Sequence, residues 1–381
     1  MSTIKVNNLE SSTGGGVAAK LTSVNGGGIG TRNLIINGAM QVAQRGTSSP
    51  QTGYRTVDRF RPDAGGTDET PTQEQVDVAS GTGPYTSGFR KAIKVTNGNQ
   101  TSGAQAADFV QIEHRIEAQN IAKSGWNYTS ATSFITLSFW VKSSVSQKFQ
   151  ITLRTLDGTS QSFQFQTSTL SADTWTKVTK TIPGNSNLQF DDDVNIGLQI
   201  FWFPYIGTTH TNSANTLDGW QASSASTYGV VDDTSWYLTN DATFELTGVQ
   251  LELGDVATDF QHKSFAEELA LCQRYFQFIG KEGANAALAA GFTTTNTFFG
   301  YGCLSGGAMR TAPTIAIDGT LSHLGYTHTG VAASASNLVS IGTGNKTFSL
   351  QISSTTTTTN FSGSYARMQN ASSAMTFSAE L

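Results

Sequence analysis

The strongest constraint on this chain is a series of short segments between Asn33 and His262 in which apolar residues recur at every second position. Ile135, Leu137, Phe139 and Val141 alternate with their neighbours, as do Phe149, Ile151 and Leu153, then Phe163 and Phe165, and more weakly Val178 and Ile182. The clearest case is Val194, Ile196, Leu198, Ile200 and Trp202. A period of two turns one face of each segment inward, as in a half-buried strand. Turn formers such as Asp157-Gly158 and Pro183-Gly184-Asn185 lie between them. Many short strands at this spacing predict a mainly β fold, an antiparallel sandwich or barrel. A short helix is expected around Ile112 to Ala122. The polar, acidic segment from Asp63 to Gly83 has no period and reads as a loop.

The stretch from Phe244 to Phe276 combines a strand, a turn and a helix. Phe244 and Leu246 are apolar on even positions and Val249, Leu251 and Leu253 on odd ones, so the phase slips at Gly248, as a β-bulge would make it. Ser264 with Glu267 forms a capping box. Phe265, Leu269, Cys272 and Phe276 follow at helical spacing, widened by Leu271, Tyr275 and Phe278. So broad a stripe suits a helix packed on its own domain and equally one that self-associates between subunits.

A length of 381 residues allows two or three domains. With only 13% charged residues and a net charge of -5, the chain lacks the basic field that nucleic acid would require. No apolar run is long enough to span a membrane, and the first residues hold no signal-peptide core. Cys272 and Cys303 make no disulfide framework, so a buried free thiol at Cys272 and synthesis in a reducing cytoplasm are expected. Residues 1–32 carry two short apolar stretches among glycine runs, too little for a core of their own; they read as a disordered leader or as an arm ordered against a partner. Residues 281–381 are rich in Gly, Ser and Thr, with weak strands at Thr314 to Ile317, Leu338 to Ile341 and Thr347 to Ile352, and the run Thr355 to Thr359. Such sequence fits a small β domain that completes its core against copies of itself.

Several motifs occur in a telling order: Asn33-Leu34-Ile35-Ile36-Asn37-Gly38-Ala39-Met40, Gln44-Arg45-Gly46-Thr47, Asp58-Arg59-Phe60, Leu137 to Lys142, Thr247 to Gly254, and the helix Glu267-Glu268-Leu269-Ala270-Leu271-Cys272-Gln273-Arg274-Tyr275-Phe276. Together, over residues 33 to 278, they resemble jelly-roll carbohydrate-binding modules and, more closely, bacteriophage tail-fibre and virion-appendage proteins of the marine and cyanobacterial phage type. The resemblance implies a jelly-roll sandwich at 33–262, preceded by a virion-anchoring arm at 1–32 that engages other tail proteins. It further implies an amphipathic helix at 263–280 and a β-rich tip at 281–381. The broad apolar stripe beside a C-terminal domain poor in core-forming sequence predicts a homotrimer, with Phe265, Leu269, Cys272 and Phe276 at the subunit interface, and the resemblance implies non-enzymatic attachment of a virion to host surface glycan. Where carbohydrate-binding modules often place an acidic calcium ligand after the Asn-Gly, this chain has Ala39, Met40 and Gln41, so the resemblance does not carry that calcium site over; no metal ligand and no cofactor are assigned.

Other constellations are weaker. His323 and His328 lack metalloprotease or zinc-finger spacing, and Asp191-Asp192-Asp193 with Asp232-Asp233 lack that of an EF-hand. A glycosidase would need two facing carboxylates, and nothing singles out a pair among Asp191, Asp218, Asp232 and Glu245. A glycan-cleaving tailspike or a purely structural fibre protein are the rival readings. Aromatics point instead to sugar binding: Tyr205 follows the strand that ends at Trp202, Trp220 and Tyr228 lie in Gly, Ser, Asn and Thr rich sequence, and flat rings beside hydroxyls and amides suit a pyranose, with Tyr205, Trp220, Trp202 and Tyr228 as the candidate contacts. Tyr205 is expected beyond the end of the strand that closes at Trp202.

Overall fold

In the computed structural model the described residues are 33–230, 233–280, 287–294, 297–318, 320–324, 330–334, 338–353, 362–368 and 374–381, with two short pieces at 23–24 and 27–28. The arm at 1–32 otherwise lies outside the described residues, as do Asp232, His328 and the run Thr355 to Thr359.

Two six-stranded antiparallel sheets face one another as a jelly-roll sandwich. The first runs Trp220–Ala222, Gln161–Gln166, Gln150–Thr155, Ile196–Ile206, Phe109–Glu117, Phe60–Gly65. The second runs Thr176–Pro183, Phe134–Ser143, Thr243–Leu253, Lys91–Thr96, Thr72–Asp77, Ser48–Ser49. The alternation read from the sequence decides which side chains meet between them. Leu137, Phe139 and Val141 face Leu153, Ile200 and Trp202 in one buried cluster. Phe139 and Trp202 touch edge-to-face at 5.9 Å, and Phe149 meets Phe244 at 5.0 Å. Each such buried side chain contributes roughly 1.5–3 kcal/mol.

Two local expectations are corrected. The segment expected as a loop contains the strand Thr72–Asp77, paired along its length with Lys91–Thr96. It sits near the sheet edge and carries polar side chains, with ion pairs Glu74–Lys94 and Asp77–Lys91, so only Val76 marks it as apolar. The expected helix at Ile112 to Ala122 is instead strand as far as Glu117, followed by the single turn Ala118–Ala122. Val110, Ile112, His114 and Ile116 all turn inward with period two, and burial of that face decides the outcome.

The bulge is where the phase slip placed it. Pairing with Phe134–Ser143 shifts between Thr247 and Gln250, and Gly248 has φ 63°. A Cβ there would meet the Phe89 ring at 2.6 Å, so the site requires glycine. The opening motif anchors on this irregularity. Leu34 N–H donates to Leu251 O at 2.9 Å, Asn33 Oδ1 accepts from Leu251 N–H at 3.1 Å, and Val249 N–H donates to Gly38 O at 2.9 Å.

The helix is Phe265–Gln273 with the capping box in place, and it ends before Phe276, which begins the strand Phe276–Gly280. Its buried stripe is Glu268 and Cys272, one turn apart; Asn37 N–H donates to Glu268 Oε2 at 2.7 Å. Cys272 and Phe276 are therefore covered by their own chain, which corrects their assignment to a subunit interface. Phe276 lies beyond the helix, with the Arg45 guanidinium 3.6 Å above its ring. Leu269 is half-buried and Phe265 is 55% exposed.

Beyond the helix, a three-stranded sheet (Phe276–Gly280, Ala374–Ser378, Thr314–Asp318) accompanies a seven-stranded one. Here the expectation of an unclosed core fails. Leu288, Phe298, Met309, Phe348, Ile352 and Phe377 form a buried cluster within one chain. Glycines make room for the rings, since a Cβ at Gly302 would lie 2.3 Å from the Phe348 ring. The junction with the sandwich is charged. Arg59, wholly buried, lies 3.5 Å over the Tyr275 ring and pairs with Glu380, which also takes Arg45 at 3.0 Å.

Candidate functional site: a groove on the outer face of the first sheet

The residues between the core-facing ones on the first sheet point outward, and most of them are nevertheless buried. Register sets Arg61, Glu113, Phe201, Thr152 and Gln164 side by side across five strands, and one step along it sets Arg115, Gln199, Arg154 and Ser162. The loop from Gly207 to Tyr228 folds back over part of this face. Gln164 Nε2 donates to Thr227 O at 2.6 Å, Thr152 Oγ1 to Tyr228 O, and Arg154 Nη1 to the Tyr228 hydroxyl at 2.5 Å. Between loop and sheet an open groove of about 250 Å³ remains.

One wall is aromatic. Phe201 and Phe203 stack at 5.7 Å, and Tyr228 stands edge-on to them at 5.5 and 6.1 Å. Phe109 and His210, edge-to-face at 5.6 Å, continue the lining. The floor is polar. Glu113, 1% exposed, accepts from Arg61 Nη1 at 3.1 Å, Arg115 Nε at 2.7 Å and Nη2 at 2.9 Å, and Gln199 Nε2 at 2.6 Å. Its charge is fully engaged, as a buried carboxylate requires. Gln199 Oε1 and Arg154 Nε are buried without a hydrogen-bond partner. Each such group costs about 1–3 kcal/mol until something satisfies it. An acceptor and a donor left open beside aromatic rings are what a sugar can fill, its C–H face on the rings and its hydroxyls on Gln199 and Arg154.

Of the four aromatics singled out from sequence, the groove contains Tyr228 alone. Trp202 is wholly buried in the core. Tyr205 is corrected as well: the strand continues to Ile206, and a register shift between Trp202 and Tyr205 inserts one residue. Phe203 keeps the outward face that alternation from Phe201 gives it, whereas the slip turns Tyr205 inward, where it stacks on Tyr237 at 4.2 Å. Trp220 is half-buried at the sheet edge, against Phe163 at 5.5 Å, its indole N–H donating to Pro183 O at 2.7 Å; it seals the core. The missed residues Phe201 and Phe203 had a signal, since Ile200-Phe201-Trp202-Phe203 is apolar in both phases and so marks a strand covered on both faces. Among the described residues no three His, Cys, Asp or Glu side chains gather as a metal would need, and no helix is long and apolar enough to cross a membrane.

No family model matches the sequence, and no curated protein does. Solved structures give distant likenesses. A putative sugar-binding protein from Bacteroides thetaiotaomicron aligns at 12% identity over 58% of this chain and 100% of its own, with a TM-score of 0.32. The enzymatically active domain of tailspike protein 4 of bacteriophage CBA120 aligns at 11% identity over 58% of this chain, with a TM-score of 0.30. This chain spans only 21% of that tailspike's length. The family 11 carbohydrate-binding module of Clostridium thermocellum, in complex with a mixed-linked tetrasaccharide, aligns at 11% identity over 57% of this chain and 98% of its own, with a TM-score of 0.24.

Proposed function

We propose that this chain is a non-enzymatic glycan-binding protein and that the groove on the first sheet is its contact. The observation that carries this reading is the Phe201, Phe203 and Tyr228 wall set beside the unpaired Gln199 Oε1 and Arg154 Nε. In its finer form the protein is a phage tail fibre that attaches the virion to host surface glycan, with residues 1–32 engaging other tail proteins. The ordered motifs over residues 33 to 278 support that form. A homotrimer would raise weak contacts to useful avidity, and the exposed Phe265 and Leu271 on one helix favour self-association.

The rival is a glycan-cleaving tailspike. Against it, the carboxylate on the groove floor, Glu113, is held by two arginines and a glutamine and has no facing partner free to act as acid. Incubating the full chain with host polysaccharide and assaying both retention and new reducing ends separates the readings. Retention without new ends is expected; release of reducing ends would overturn the non-enzymatic reading, and absence of retention would overturn glycan binding.

A further inference from the structure

We propose a second saccharide site, for a single pyranose ring, in a pocket of about 220 Å³ on the outer face of the second sheet beside Trp140. On Phe134–Ser143 the core takes Ile135, Leu137, Phe139 and Val141, so Ser138 and Trp140 project the other way. Lys177 lies directly across from Trp140 on the neighbouring strand. The bulge at Gly248 shapes the wall, because a Cβ there would lie 3.1 Å from Trp140 Cδ1 as well as against Phe89. Phe260 closes the other side, edge-to-face with Phe89 at 4.8 Å and with His262 at 4.8 Å, and His262 Nε2 is fixed 2.9 Å from Ser87 O.

This aromatic box presents polar groups that the protein itself leaves to water. The Trp140 indole N–H, the Ser138 hydroxyl and the Lys177 ammonium have no hydrogen-bond or ion-pair partner among the described residues, and Ser138 is only 4% exposed. Donors that open into the cavity and are not used within the protein suit a ligand rich in acceptor oxygens. The rings call for one that also has an apolar face. A pyranose has both. Ligand pockets usually run to about 300–1,000 Å³, so this smaller one suits one ring rather than an oligosaccharide. Asp259 on the same rim offsets Lys177, so charge does not choose between a neutral and an acidic ring. The site does not depend on the groove reading, since the two lie on different sheets. Together they would let one subunit hold two glycan branches at once.

The test is ligand-observed NMR titration of the full chain with the methyl glycosides of glucose, galactose, mannose and glucuronic acid. At least one is expected to saturate, and the neutral and acidic arms identify its class. Lys177→Ala, at an exposed position, and Ser138→Val, which fills the pocket, should each weaken binding about tenfold, the loss of one hydrogen bond. Tyr228→Ala should leave this binding unchanged. Saturation by none of the four, equal binding by Lys177→Ala and Ser138→Val, or loss of binding in Tyr228→Ala would each overturn the second site, the last by placing the ring in the groove.

Discussion

Tyr228 and Arg154 are joined across the groove, the tyrosine hydroxyl accepting from Arg154 Nη1 at 2.5 Å while its ring stands edge-on to Phe201. The bond pins the loop that roofs the sheet and aims Arg154 into the open space. Tyr228→Phe keeps the ring and removes only the acceptor, so glycan affinity should fall about three- to tenfold, about 1 kcal/mol, with thermal unfolding almost unmoved. Calorimetric titration beside a thermal melt checks both.

Tyr205 behaves oppositely. Stacked on Tyr237 and 4% exposed, it belongs to the core, and Tyr205→Ala should destabilise by about 3–5 kcal/mol. Denaturant unfolding would show this as a lowered midpoint. A Tyr205→Ala variant that melts like the wild type and loses glycan binding would return this residue to the contact surface.

Glu117, at the end of its strand, takes both Arg274 Nε and Nη2 at 2.7 Å and the Tyr275 hydroxyl at 2.6 Å, tying the sandwich to the segment just after the helix. Burial pushes its carboxyl up, but hydrogen bonds from Arg274, Tyr275 and Gln119 more than offset this and hold it below the usual range. The resulting stability is present above the unfolded value, about 4.3, and is lost as pH falls through the lower folded value. Glu117→Gln should cost about 3–5 kcal/mol at neutral pH and flatten the acid limb of a pH–stability curve.

Asp58 should show the reverse slope. Burial raises its pKa to about 6, more than Arg45 and Gln44 pull it down, so the folded state takes up a proton as pH falls. This contribution favours folding below about 4 and is lost as pH rises to about 6. Melting temperatures of Asp58→Asn between pH 4 and 7 should lack that decline; an unchanged profile would remove Asp58 from the account.

The sandwich was legible because period-two burial writes itself into sequence, and the bulge because Gly248 breaks the phase where no other residue fits. The strand Thr72–Asp77, one in from the edge, was not, since its partners are charges and backbone rather than a core. The binding face was half legible. Tyr228 was found by type, whereas Tyr205 was misplaced by a one-residue slip at Pro204, a residue that marks a bulge within a strand as readily as a strand's end. Glu113, Gln199 and Arg154 become a site only through register across neighbouring strands, and a single sequence carries no register between them.

The most direct measurement is a calorimetric titration of host surface oligosaccharide into the full chain, wild type against Tyr228→Ala, with each protein's melting temperature recorded. The account predicts saturable binding by the wild type, its loss in Tyr228→Ala, and melting temperatures that stay close together. Equal binding by both proteins would contradict the groove as the glycan contact.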